Sequence, residues 1–133
     1  MRASHSRVER FLNTLVAWAA EEAGVETVLL VGSYARGTAT PASDIDLLVL
    51  VTDPRVYVED PGWAGAFGAV ERSAVEDWGK VTSLRVWYAD GPEVELGFAT
   101  PDWMASPLDD GTRKVLEDGF RVLYRRSEGR AKR

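Results

Sequence analysis

Apolar residues near the start of the chain recur every three or four positions, the period of a helix. They predict a helix over residues 7–23 with one apolar face. The members of that face are Val8, Phe11, Leu12, Leu15, Val16 and Ala19. Ser6 and Glu9 have the spacing of a capping box at the start of this helix, and Gly24 is a residue type that ends helices.

Two runs of branched aliphatic residues follow and predict buried strands. They span residues 27–31 and 45–51, and side chains of this type favour the strand conformation. A short helix is expected at residues 33–36, because Gly32 lets the chain turn sharply after the first run.

The middle of the chain predicts one more helix and a hairpin. Apolar positions at helical spacing predict a helix over residues 63–78. These positions are Phe67, Val70, Ala74, Val75 and Trp78. Residues 81–88 and 93–99 have the composition of strands, and the Ala-Asp-Gly-Pro segment between them is rich in turn formers. We therefore expect these two strands to pair antiparallel.

The C-terminal segments complete the predicted fold. Residues 100–102 are expected to open a short helix or turn, residues 111–118 to form a last helix, and residues 120–124 to form a last strand. The order of the elements predicts an α/β (α+β) architecture, with a mixed sheet of about five strands flanked by helices.

Length and charge limit the domain organisation and the partners. The chain has 133 residues, which predicts a single domain over residues 1–124 and a basic, flexible tail over residues 125–133. The formal net charge is −5, and the tail contributes +4, so residues 1–124 carry −9. An acidic body offers no basic stripe for long nucleic acid. A small nucleotide is compatible, because bound metal ions invert the sign of a carboxylate site.

The sequence contains no cysteine, so neither a disulfide framework nor a thiolate site is available. No apolar run approaches ~18 residues, and the N-terminus lacks the pattern of a signal peptide. We therefore expect a cytoplasmic protein without membrane contact.

Asp44 and Asp46 lie two positions apart at the start of the second apolar run. Because side chains alternate across a strand, both carboxylates would share one face and could hold a pair of divalent cations. The alternative is that Ser43-Asp44 caps a turn and Asp46 is solvated at a strand edge. Gly32 and Ser33 stand at the start of the short helix, where free N–H groups suit a phosphate.

Seven residues in this region stand at the spacing of a known family. They form a Gly-Ser turn, an Arg-Gly pair and a Ser-Asp-Ile-Asp-Leu strand, and are Gly32, Ser33, Arg36, Gly37, Ser43, Asp44 and Asp46. The pattern resembles the DNA polymerase beta-like nucleotidyltransferase superfamily, in particular its minimal branch with antitoxin-like and antibiotic-modifying members. The resemblance covers most of residues 8–124.

The resemblance implies a third carboxylate in a hydrophobic-acid-hydrophobic stretch on a neighbouring strand. Val94-Glu95-Leu96 fits that description, so Glu95 is predicted as a metal ligand and as the base that takes the acceptor's proton. It is one methylene longer than the more usual aspartate. Glu93 shares the same strand face, and the alternative is that both glutamates are solvated.

The resemblance further implies that Asp44, Asp46 and Glu95 hold two Mg²⁺ ions around a nucleoside triphosphate, with ATP as the expected substrate. Gly32 and Ser33 would contact its β- and γ-phosphates.

Three further residues, Arg36, Ser43 and Arg85, are candidates for supporting roles in the site. Arg36 would brace the loop that carries the acids or reach a phosphate, and Ser43 would touch phosphate as its counterpart does in similar enzymes. Arg85 is expected to form a structural ion pair, with a phosphate contact as the alternative.

The five tryptophans divide into two groups. Trp18, Trp78 and Trp87 lie in periodic segments and are expected in the core. Trp63 and Trp103 lie near loop starts, where each could line an acceptor pocket or a subunit interface.

The expected function is Mg²⁺-dependent transfer of a nucleoside monophosphate, AMP from ATP, to a hydroxyl group. The resemblance to minimal nucleotidyltransferases implies an antitoxin that modifies a HEPN-type protein partner. The resemblance to aminoglycoside and lincosamide enzymes implies a small hydroxylated acceptor. A chain of this length would share its acceptor with another subunit in a homo-oligomer, bind it shallowly or modify a protein, which favours the protein acceptor. The alternative is an inactive nucleotide-binding or partner-binding domain, for which the glutamate at position 95 is the sequence indication.

Overall fold

A computed structural model describes residues 2–40, 43–77, 81–89, 92–104, 113, 117 and 119–126. The elements in chain order are helix α1 (Arg2–Glu21), strand β1 (Val25–Val31), helix α2 (Gly32–Arg36), strand β2 (Ile45–Val51), helix α3 (Pro54–Glu59), a first 3-10 helix (Pro61–Phe67), strands β3 (Val70–Asp77), β4 (Thr82–Tyr88) and β5 (Glu93–Ala99), a second 3-10 helix (Pro101–Met104) and strand β6 (Arg121–Arg125).

The strands of the described residues form one sheet in the order β3-β4-β5-β2-β1-β6. Neighbouring strands are antiparallel except β2 and β5, which run parallel. This mixed sheet with flanking helices confirms the predicted fold class. It has six strands rather than about five, because β3 was expected to be helical.

The two faces of the sheet bury different residues. Leu47 and Val49 of β2 belong to the main core, to which α1 contributes Leu15 and Ala19. Leu48 and Leu50 of β2 point to the opposite face and belong to a smaller apolar cluster there. The buried members of this cluster are Leu29, Leu48, Leu50 and Ala99. Because the period of a strand is two, Asp46 lies on the same face as that smaller cluster.

The predicted helix over residues 63–78 is wrong. The 3-10 helix Pro61–Phe67 is followed by strand β3, which pairs antiparallel with β4 at the edge of the sheet. All eight residues of β3 are exposed, so burial does not impose the alternation by which a strand is recognised. The helical spacing of its apolar residues therefore does not reflect a buried helix face. Backbone pairing with β4 makes this segment a strand.

The other boundaries agree more closely. Strands β2 and β5 have the predicted bounds, and the antiparallel pairing of β4 with β5 is confirmed. Helix α1 begins at Arg2, so Ser6 lies inside the helix and the predicted capping box is wrong. The predicted helix over residues 111–118 lies outside the described residues, apart from Arg113 and Glu117.

The C-terminal strand includes the first residue of the predicted tail. Arg125 belongs to β6, and the backbone N–H of Arg126 donates to Glu26 O at 2.9 Å. None of the described helices combines the length and apolarity that crossing a bilayer requires.

Candidate functional site

Three carboxylates converge on the face of the sheet opposite the main core. Asp44 immediately precedes β2 and Asp46 is its second residue, so the two side chains share a face. Parallel pairing of β2 with β5 makes Glu95 the register partner of Asp46. One carboxylate oxygen from each of the three acids lies within 4.8 Å of the other two. The structure thus brings together the three acids that the sequence singled out.

Glu93 and Glu95 differ in their positions relative to this group. Glu93 pairs with Trp87 across the β4–β5 ladder, and its side chain is 40% exposed, whereas that of Glu95 is 22% exposed. Among the described residues, Glu95 and not Glu93 belongs to the convergent carboxylate trio. The trio is the name used below for Asp44, Asp46 and Glu95.

Gly32 lies directly against one of these acids. It has φ 74°, and a Cβ atom built on it would lie 2.5 Å from Oδ2 of Asp46. The contact arises because Val31, the last residue of β1, is the register partner of Asp46. Any side chain at position 32 would displace the Asp46 carboxylate, so glycine is required both for the turn and for the trio.

The loop between α2 and β2 is held by local hydrogen bonds. Gly37 ends α2 with φ 78°, and the N–H of Thr38 donates to Ser33 O at 3.0 Å. The hydroxyl of Ser43 accepts from the N–H of Thr40 at 2.9 Å, and the N–H of Ser43 donates back to Thr40 O at 2.9 Å. Ser43 therefore fixes the chain immediately before Asp44, a role that its predicted phosphate contact did not anticipate.

Arg85 of β4 joins the trio to Glu93. Its Nη1 lies 3.0 Å from Asp44 Oδ2 and 2.7 Å from Glu93 Oε2, and its Nη2 lies 2.8 Å from Glu95 Oε1. The predicted structural ion pair at Arg85 is confirmed, and it involves three acids. The guanidinium fork suits this arrangement, because its donors lie in one plane and can serve several carboxylates.

Burial and the negative charges of Asp44 and Glu95 together raise the pKa of Asp46 from 3.8 to about 6, against the opposing charges of Arg85 and Arg36. Burial lowers the pKa of Arg85, but its hydrogen bonds to Asp44 and Glu93 and the charge of Glu95 outweigh that effect and raise it. The trio therefore has more negative charge than its arginine neighbours balance. Three hard oxygen donors with an excess of negative charge fit a divalent cation such as Mg²⁺.

A cleft of about 270 Å³ opens beside the trio. Asp46, Glu95, Gly32 and Arg36 line it together with apolar and small residues, namely Val31, Leu47, Leu48, Val81, Ser83 and Gly97. Its volume is slightly below the roughly 300 Å³ at which the usual range of small-molecule sites begins. Four of the predicted site residues therefore share one cleft, and Ser33 lies in the adjoining helix α2.

Sequence reasoning missed two small residues that line this cleft, Ser83 of β4 and Gly97 of β5. Ser83 is two residues from Arg85, and Gly97 is two residues from Glu95, so each shares a face with a residue that the sequence did single out. A Cβ atom on Gly97 would lie 2.8 Å from Val81 Cγ1 and 2.9 Å from Leu48 Cδ1. Strand alternation could have identified these positions once Glu95 was assigned to the site.

None of the tryptophans that the structure describes lines the cleft. Trp63 stacks on Trp18 with ring centroids 4.9 Å apart, and its indole N–H donates to Tyr57 O at 2.9 Å. Both rings pack against the main core, which confirms the expectation for Trp18, and Trp63 is not among the described residues that line the cleft. A subunit interface at Trp63 stays a prediction. The expectation that Trp87 lies in the core is wrong, because Trp87 belongs to neither apolar cluster and is half-buried on the face of the trio. The guanidinium of Arg72 lies 3.9 Å from its ring centroid. Trp78 and the side chain of Trp103 lie outside the described residues.

Comparison with known protein families gives the decisive observation. Residues 10–90 match the model of the nucleotidyltransferase domain. The chain belongs to the nucleotidyltransferase family. The match includes Asp44, Asp46 and Arg85 but ends before Glu95, so the third acid of this nucleotidyltransferase domain is placed by the β2–β5 register. No match was found among curated proteins.

Solved structures share the fold of this nucleotidyltransferase domain. An aminoglycoside 6-adenyltransferase from Bacillus subtilis is similar over 65% of this chain, with a TM-score of 0.52 and 18% identity. A cytoplasmic RNA terminal U-transferase is similar over 73% (TM-score 0.53, 19% identity), and Cid1 in complex with the UTP analog UMPNPP over 74% (TM-score 0.54, 17% identity). The matched regions make up 32%, 29% and 31% of those chains, so this chain spans about a third of their length.

Proposed function

We propose that this nucleotidyltransferase domain transfers a nucleoside monophosphate, AMP from ATP, to a hydroxyl group with the help of two Mg²⁺ ions. The observation that carries the proposal is the convergence of Asp44, Asp46 and Glu95 within 4.8 Å beside the cleft. Family membership supports the same chemistry, because residues 10–90 match the nucleotidyltransferase domain.

The proposed reaction is a displacement at the α-phosphorus. A bond forms between the acceptor oxygen and the α-phosphorus, the bond from that phosphorus to the β-phosphate bridging oxygen breaks, and pyrophosphate leaves. Metal ions held by the trio would stabilise the charge that develops on the phosphoryl oxygens and the leaving group. Glu95 is proposed to accept the proton of the acceptor hydroxyl.

The remaining predicted residues would orient the triphosphate. Gly32 and Ser33 present backbone N–H groups at the start of α2, next to Asp46. Arg36 lines the cleft, and its positive charge reaches Asp46, which supports a phosphate contact over a bracing role. Ser43 would act by fixing the loop before Asp44 through its hydrogen bonds to Thr40.

Two classes of acceptor accord with this chemistry. One is a hydroxyl of a HEPN-type protein partner, as in a toxin-antitoxin pair. The other is a small hydroxylated molecule. The similarity in fold to an aminoglycoside 6-adenyltransferase supports the small molecule and an adenylyl donor. The similarity to a U-transferase and to Cid1 with a UTP analog makes UTP the second donor to test.

The test supplies the protein with α-labelled ATP, UTP, GTP or CTP, with Mg²⁺ or with a chelator, and with either an aminoglycoside or the proteins that co-purify with the chain. We expect Mg²⁺-dependent transfer of label, reduced at least about 100-fold by Asp44→Asn and by Asp46→Asn. Asp60→Asn is the matched control, because Asp60 is an exposed acid outside the site. Transfer that persists in both site variants would overturn the proposal.

A second candidate function is binding of a nucleotide or a partner without turnover. The observation that favours it is Arg85, which already pairs with two members of the trio. Mg²⁺-dependent binding of a non-hydrolysable ATP analogue, without transfer to any acceptor tested, would support this candidate.

A further inference from the structure

We propose that Arg85 is a tethered counter-cation that competes with divalent metal for the trio, and that Glu93 holds the guanidinium when metal binds. The proposal rests on the proposed function in one respect, since it takes the trio to be the metal site. It adds two positioning residues, Arg85 and Glu93, to the site.

The contacts of the guanidinium carry the first step. Arg85 pairs with Asp44 at 3.0 Å and with Glu95 at 2.8 Å, which are two of the three acids of the trio. A divalent cation needs the same carboxylates, and the guanidinium supplies positive charge where that cation would supply it. Entry of metal must therefore weaken these two ion pairs or proceed against them.

The position of Glu93 carries the second step. It is the third partner of Arg85, at 2.7 Å from Nη1, and it lies outside the trio. Glu93 precedes Glu95 by two residues on β5 and is the more exposed of the two. A guanidinium that releases Asp44 and Glu95 can therefore keep a carboxylate partner by staying with Glu93.

The surroundings of Arg85 favour such an exchange over complete release. Its guanidinium carbon lies 6.0 Å from the ring centroid of Trp87, which is the register partner of Glu93. An aromatic face and a carboxylate on the same side both stabilise a cation displaced in that direction. The side chain of Arg85 is 23% exposed, so the residue is neither fully buried nor free in solvent.

The experiment measures binding of Mn²⁺ alone, by calorimetry and by the electron paramagnetic resonance of free Mn²⁺, to the full chain without nucleotide. Arg85→Gln is expected to bind Mn²⁺ about tenfold more tightly than wild type, because the trio loses its competitor. Arg85→Lys keeps the charge but lacks the fork, so it is expected to fall between the two. Circular dichroism checks that each variant is folded.

Glu93→Gln provides the opposite prediction. It is expected to weaken Mn²⁺ binding severalfold, because Arg85 then has only the trio to pair with. The same change in the Arg85→Gln background is expected to have little effect, since the two residues act through each other. Arg72→Gln is the charge-matched control, because it removes a neighbouring arginine that contacts Trp87 and not the trio.

The outcomes separate this proposal from the proposed function. Equal or weaker Mn²⁺ binding by Arg85→Gln, with wild type binding normally, would overturn the role of Arg85 and leave the metal site in place. An equal effect of Glu93→Gln in both backgrounds would overturn the role of Glu93. Absence of Mn²⁺ binding in wild type and in Arg85→Gln alike would overturn both the metal site and the counter-cation.

Discussion

At the scale of single residues, Asp46 has an unfavourable position in the metal-free protein. Its carboxylate is partly buried, and Asp44 and Glu95 add negative charge nearby. A carboxylate in such a position binds a cation favourably but lowers the stability of the metal-free protein. This exchange of stability for function is expected where charges must be ready for a ligand.

We therefore expect Asp46→Asn to stabilise the metal-free protein near pH 7.5. Burial and neighbouring charge raise the pKa of Asp46 from 3.8 to about 6, so its favourable contribution is complete below pH 3.8 and is lost as the pH rises through about 6. The shift corresponds to at most about 3 kcal/mol, and partial exposure to water reduces the expected gain to about 1–2 kcal/mol. Denaturant unfolding at pH 7.5 and at pH 4 checks it.

The gain should become smaller at pH 4, where Asp46 is already protonated in the folded state. Asp60→Asn, at an exposed position, should change stability little at either pH. A gain for Asp46→Asn that is as large at pH 4 as at pH 7.5 would contradict the electrostatic explanation.

Gly32 offers a second residue-scale prediction, with a control at the other end of the same short helix. Gly32→Ala and Gly37→Ala both place a side chain at positive φ, 74° and 78°, which is expected to cost about 1–3 kcal/mol of stability in each. Only at position 32 would the new Cβ meet a site residue, at 2.5 Å from Asp46 Oδ2, while a Cβ at position 37 meets nothing within 4 Å.

Gly32→Ala should therefore weaken Mn²⁺ binding at least about tenfold, because a displaced ligand loses its geometry. Gly37→Ala should leave Mn²⁺ affinity close to wild type at temperatures where both variants are folded. Calorimetric titration of both variants measures the difference. Equal affinities would show that Gly32 serves the turn and not the carboxylate.

At the scale of elements, the strands divide by burial. Strands β2 and β5 lie in the middle of the sheet and were predicted with their observed bounds, because buried branched aliphatics leave a clear pattern. Strand β3 lies at an edge with every residue exposed, and its sequence pattern predicts a helix instead. Edge pairing depends on the neighbouring strand rather than on the strand's own pattern.

The same substitution on two adjacent strands tests this difference. Val86 of β4 is fully buried, and Val75 of β3 is 53% exposed. Val86→Ala is expected to lower the free energy of unfolding by about 2 kcal/mol through lost burial and the remaining cavity. Val75→Ala is expected to lower it by about 0.5 kcal/mol or less. Urea denaturation measures the free energy of unfolding of both variants. Similar losses would contradict the conclusion that the side chains of β3 contribute little to stability.

The candidate site shows the same limit of local reasoning. Asp44 and Asp46 could be placed on one face from their spacing alone, since strand alternation is a local property. The proximity of Glu95 depends on the parallel register of β2 with β5, and the three ion pairs of Arg85 depend on the register of β4 with β5. The spacing of residues along the chain does not reveal such long-range pairings. The sequence therefore predicts that Arg85 forms an ion pair but does not identify its partners.

At the scale of the whole molecule, the sheet order places the first and last of the described strands side by side. Strand β6 pairs antiparallel with β1 at the edge of the sheet opposite to β3. Arg126 then joins this edge to the turn after α1, because its Nε donates to Val25 O at 3.0 Å and its Nη2 donates to Glu22 O at 2.6 Å. The first of these contacts joins residues 101 positions apart in the sequence, and the second joins residues 104 positions apart.

Arg126→Ala is therefore expected to lower the free energy of unfolding by about 1–3 kcal/mol, because two backbone carbonyls lose charge-assisted hydrogen bonds. Arg125→Ala is the matched control, since it removes an equal charge from an exposed neighbouring position and should change stability by about 0.5 kcal/mol or less. Urea denaturation at moderate salt compares the two variants while screening general effects of charge. Equal losses would mean that the basic character of this segment, rather than the closure of the sheet by Arg126, determines its contribution. A loss confined to Arg126→Ala would place this residue within the folded domain, where its hydrogen bonds hold β6 against the strand that leads into Gly32 and the carboxylate trio.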